Sequence, residues 1–178
     1  MPFHYVEGWP QLGPAFSAVG AVLAALLQAT TASRYQLAGS QLEILLVFAI
    51  AITVVFGFEQ GMAWAFVGGL MTDFVTLRPL GSTVFELLVV VGMAEAAVPF
   101  LSRARYPGCI AASAVLTIVY MVVADMVAAL LAPPAPTLHV SSLIIAAFVN
   151  AVVAAVGTPL IIGLKRRAEQ RERLVWWR

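Results

Sequence analysis

Charge is scarce in this chain of 178 residues. Only 11% are Asp, Glu, Lys or Arg, against about 25% in a typical soluble domain. That scarcity excludes an ordinary water-soluble globule. A formal net charge of +1 offers no overall field for nucleic acid. Cys109 is the sole cysteine, so no internal disulfide can form and a cysteine-based metal site is disfavoured. The two histidines, His4 and His139, stand far apart and are not spaced as a ligand pair. No basic stretch precedes the first apolar run, so no cleavable signal peptide is expected. Gly-x-Ser-x-Gly, a P-loop and His-Glu-x-x-His are all missing, and no nucleophile has a base at a telling distance. The expectation is a protein that is not an enzyme and carries no metal or cofactor.

What remains is apolar: 62% of residues are hydrophobic and the mean hydropathy is +0.96. Long charge-free runs predict an all-α integral membrane protein, because helices satisfy their own backbone groups in hydrocarbon. The runs place spans at about 11–32, 42–57, 60–76, 80–101, 109–131 and 138–164, a six-helix transmembrane bundle forming one domain over 1–164. The second and third spans are short. Fused into one helix they would extend about 55 Å at 1.5 Å per residue, far beyond a core of about 30 Å. A tight pair turning over Gly57–Gly61 is therefore expected, with five spans or a re-entrant loop as alternatives. Lys and Arg then divide eight to two with six spans, and the heavier side is cytoplasmic. Both termini fall on that side. With five spans the N-terminus is outside and the division is nine to one.

Inside this frame Gly57, Gly61, Ala65, Gly69 and Asp73 stand four apart, and Gly68 with Thr72 repeats the spacing. Residues four apart share one side of a helix. The series predicts a groove of small side chains where another backbone packs closely, ending in a carboxylate. Asp73 lies near the end of its helix, before Arg78, Pro79 and Gly81. There it opposes the helix dipole. It needs compensation from Arg78, from amides around Gly81, from another helix or from a partner.

Three further acids, Glu86, Glu95 and Asp125, fall within apolar runs, where each needs a partner or water. Glu86 is expected near the outer boundary and wet. No basic residue appears deep in a span to pair with these acids. They could line a proton, ion or substrate path, or serve as interhelical ties and boundary groups. Ser113, Thr117, Met121 and Asp125, with Tyr120 beside them, form a stripe expected to face protein. The segment 165–178 is a basic cytoplasmic tail. Lys165, Arg166, Arg167, Arg171 and Arg173 are expected at anionic headgroups, with Trp176 and Trp177 at the interface.

The series Gly57, Gly61, Gly68–Gly69, Asp73 and Leu80–Gly81, on a small chain of five or six spans, resembles the rod shape-determining protein MreD family. In hydropathy the resemblance covers the whole length; in motif it covers about Gly57 to Gly92. It implies a multi-pass protein of the bacterial inner membrane serving cell elongation. Implied partners are MreC and, directly or through it, a RodA-type glycosyltransferase and an elongation penicillin-binding protein, with MreB beneath. It also implies a fold similar to substrate-binding subunits of energy-coupling-factor transporters. A vitamin-binding transporter subunit is therefore the rival reading. A membrane enzyme acting on a lipid-linked substrate, using Asp73 with Glu86 or Asp125, is a third.

Overall fold

The computed structural model describes residues 14–32, 43–101, 105–131 and 140–175. Among these lie six α-helices and no strand: α1 (Pro14–Ala32), α2 (Ile44–Phe56), α3 (Phe58–Thr76), α4 (Ser82–Leu101), α5 (Arg105–Leu131) and α6 (Val140–Val175). Three stretches, Ser82–Pro99, Pro107–Leu131 and Val140–Gly163, are long and apolar enough to cross a membrane.

The shortest helix is the centre. α2 has 13 residues, about 20 Å, against a hydrocarbon core of about 30 Å. It touches every other helix, while α1, α3, α4, α5 and α6 follow one another around it, each packed on the next. The sequence explains this placement. From Ile44 to Phe56 the helix is apolar on all sides except for Thr53, and a helix without a polar face belongs inside. Ten of its residues are buried. Among the described residues α1 and α6 do not touch. Phe48 of α2 stacks on Trp64 of α3 with ring centroids 6.1 Å apart and lies beside Gly157 of α6.

The reversal between α2 and α3 occupies one residue, Gly57, with φ of 105°, a conformation that glycine adopts without steric cost. Its N–H donates to the Thr53 carbonyl at 3.0 Å and its own carbonyl accepts from Gly61 N–H at 3.2 Å. The expected turn over Gly57–Gly61 is thus shortened, and Gly61 lies inside α3. The glycine series serves two neighbours. Gly61 and Gly68 face Thr53 and Leu45 of α2, whereas a Cβ on Gly69 would meet the Val84 backbone of α4 at 2.9 Å. Ala65 between them is fully buried. The side of α3 drifts as it rises, because 3.6 residues per turn do not repeat on four.

Two expected boundaries also move. α5 begins at Arg105 rather than 109, and α6 passes 164 without a break and continues to Val175. The basic segment therefore begins as helix, carrying Arg167, Arg171 and Arg173. Trp176 and Trp177 lie outside the described residues.

Candidate functional site

A buried helix leaves unpaired N–H groups at its start and unpaired carbonyls at its end. In apolar surroundings both sets need partners from elsewhere. At the start of α2, Leu45 N–H donates to Gln28 Oε1 of α1 at 2.9 Å. Glu43 N–H donates to Asn150 Oδ1 of α6 at 3.2 Å. The Gln28 Nε2 group donates to the Glu43 carboxylate. Asn150 Nδ2 reaches Thr117 Oγ1 of α5 at 3.2 Å, and the Thr117 hydroxyl donates to the Ser113 carbonyl at 2.6 Å. One polar chain thus joins α1, α2, α5 and α6. At the other end, Lys165 Nζ donates to the Val55 carbonyl at 2.7 Å and lies over the Phe56 ring. An acid at the N-terminus and a cation at the C-terminus both complement the dipole of α2.

The turn between α3 and α4 completes the layer. Asp73 is fully buried. Its Oδ2 accepts from Gly81 N–H at 2.7 Å, and its Oδ1 accepts from Thr83 N–H at 3.1 Å and from the Ser82 hydroxyl at 3.2 Å. A carboxylate near the end of α3 therefore caps the start of α4, and the unfavourable dipole of one helix is offset by the favourable dipole of the next. Leu77 ends α3 in the left-handed conformation, φ 55°, and Gly81 takes φ of 94° just before α4.

Arg78 takes Glu86, not Asp73, as its ion-pair partner. Its guanidinium pairs with Glu86 Oε1 at 3.0 Å and donates to Thr83 Oγ1 at 3.3 Å. Glu86 is fully buried, and the buried Tyr120 phenol of α5 stands beside the pair. Glu86 Oε2 is buried and meets no partner at hydrogen-bond distance.

The long helices show where this layer lies along the bundle. Asn150, beside Glu43, falls near the middle of the apolar window Val140–Gly163, and Tyr120, beside Glu86, near the middle of Pro107–Leu131. From Val140 to Asn150 the helix rises about 15 Å, whereas Glu86 stands only four residues into Ser82–Pro99, so the layer lies toward one end of α4.

Several expectations change. Asp73, Arg78, Gly81 and Glu86 come together in one cluster; Pro79 is exposed beside them, and Glu95 and Asp125 stand apart and half-buried. Glu86 is buried rather than wet, and it pairs with Arg78, which lies in the turn and not within a span. The pairing is hard to foresee because Arg78 sits in a turn and reaches eight residues forward into α4. Lys165, expected at headgroups, is turned inward and buried, whereas its neighbour Arg166 is exposed. Gln28, Glu43 and Asn150 went unnoticed as site residues. The available signal was an uncharged amide standing alone in an apolar run at Gln28 and again at Asn150. Among the described residues no three His, Cys, Asp or Glu side chains gather to hold a metal ion.

The chain matches no protein-family model, no curated protein and no solved structure.

Proposed function

We propose that this chain is a non-enzymatic, multi-pass scaffold of the bacterial cytoplasmic membrane, a protein of the MreD type that serves the cell-elongation complex. On this reading its six helices form a transmembrane bundle with both termini in the cytoplasm. It binds MreC and supports peptidoglycan synthesis by a RodA-type glycosyltransferase and its penicillin-binding protein, above MreB. The observation that carries the reading is the use made of the segment that bears the resemblance. Gly61, Gly68 and Gly69 set α3 tightly against α2 and α4, and Asp73 locks the turn that follows. That turn presents Leu77 and Leu80, 92% and 70% exposed, with Pro79 between. Apolar side chains on a preorganised backbone suit the docking of a partner, since little ordering remains to be done on binding.

Gentle purification followed by mass spectrometry tests this reading. A single-span elongation protein should copurify, and no small ligand should be retained. Association with an ATPase module and a stoichiometric vitamin-sized molecule would establish the transporter subunit instead.

A further inference from the structure

The polar layer at the start of α2 holds more acid than base. From the packed elements it receives Gln28 of α1, Glu43 of α2, Asp73 of α3, Arg78 of the turn, Glu86 of α4, and Tyr120 and Thr117 of α5. Asn150 comes from α6. Three of these are acids and one is a cation. Asp73 is compensated by donors at the start of α4, and Glu86 by Arg78. Glu43 has the neutral Gln28 amide and the dipole of α2, equivalent to about half a charge. Glu86 lies near enough to repel it. The second oxygen of Glu86 is fully buried with no donor at hydrogen-bond distance, the Tyr120 phenol standing nearby. Glu86 has no exposed surface, and in such surroundings an uncompensated carboxylate is costly and neutralises instead.

We propose that this layer is a proton-binding site, in which Glu43 and Glu86 together hold one exchangeable proton. A metal cation is poorly served, because hard cations want about six or more oxygens and the described residues offer no such acidic group. With the proton bound, one carboxylate faces one guanidinium, and the ties from α1, α5 and α6 to the start of α2 are relaxed. When the proton leaves, two carboxylates share Arg78, and the start of α2 is where the bundle loosens. This site does not depend on the scaffold reading.

The test uses the full chain in lipid nanodiscs. Infrared spectra should show a protonated-carboxyl stretch that titrates away on alkalinisation and is lost in Glu43→Gln, since glutamine stands in for the neutral acid. The thermal midpoint of the wild type, followed by tryptophan fluorescence, should fall from mildly acidic to alkaline pH. Glu43→Gln should remove that fall. A carboxyl band retained in Glu43→Gln, or a wild-type midpoint indifferent to pH, overturns the proposal. So does a midpoint that shifts when sodium is exchanged for choline at constant pH, which would point to a metal cation. If Glu43→Gln does not fold, the wild type decides alone: without a titrating carboxyl band the site does not exist.

Discussion

Lys165 closes α2 from 110 residues further along the chain, donating to the Val55 carbonyl at 2.7 Å. The contact places the first cation of the basic segment inside the fold. It also ties α6 to the end of the central helix. Removing the ammonium leaves a buried carbonyl without that donor, a loss of about 1–3 kcal/mol. Lys165→Met should therefore lower the thermal midpoint in detergent, while Arg166→Met, at an exposed position, should not. Equal melting of the two variants would show that Lys165 does not cap α2.

Asp73 offers a graded test. Asp73→Ala strands the Gly81 and Thr83 amides, and loss of a cap costs about 0.5–2 kcal/mol. Asp73→Asn keeps one acceptor oxygen and should fall between alanine and the wild type. Partner recovery should follow the same order, because the exposed Leu77 and Leu80 rest on this turn. Thermal melting and copurification, run side by side, measure both effects. Identical values for Asp73→Ala and wild type would remove the carboxylate from the turn's support.

The glycines should not be equivalent. Gly69→Ala drives a methyl against the Val84 backbone at 2.9 Å, which yields only if α3 and α4 separate. Gly68→Ala meets the flexible end of Leu45 and should cost less. Gly92→Ala meets nothing within 4 Å and should be neutral or slightly stabilising, alanine being favoured in a helix by about 1 kcal/mol. Abundance and monodispersity after detergent extraction report the order. A damaging Gly92→Ala together with a silent Gly69→Ala would reverse the packing assignment.

Arg78 and Glu86 should be strongly coupled. Arg78→Met alone leaves a buried carboxylate without its partner, a loss smaller than the roughly 3–5 kcal/mol of a wholly buried pair because the Arg78 side chain is 36% exposed. Adding Glu86→Met should restore much of it, since an apolar pair can replace a buried ion pair. A double-mutant cycle on thermal or denaturant stability gives the coupling directly. Additive losses would mean that the two side chains act independently.

Topology can be read by labelling. In a Cys109→Ser background, Gln36→Cys should react with an impermeant reagent from outside and Gln170→Cys should not. Outside reaction at an N-terminal cysteine would replace six crossings by five.

The helices were legible in the sequence because each depends on its own run. Val140 to Gly163 is apolar whatever surrounds it, and Gly57 breaks the chain between two such runs for local steric reasons. Gly61, Gly68 and Gly69 could be recognised as packing positions by spacing alone, though not which neighbour each would meet. The tertiary structure decided the rest. Ile44 to Phe56 could have been one span among several. It becomes the centre only because five other helices surround it, and its buried ends then demand polar partners. Those partners come from far away: Asn150 lies 107 residues from Glu43. No local pattern announces such a pairing, because an amide or an ammonium acquires its role only when folding removes water from the group opposite it.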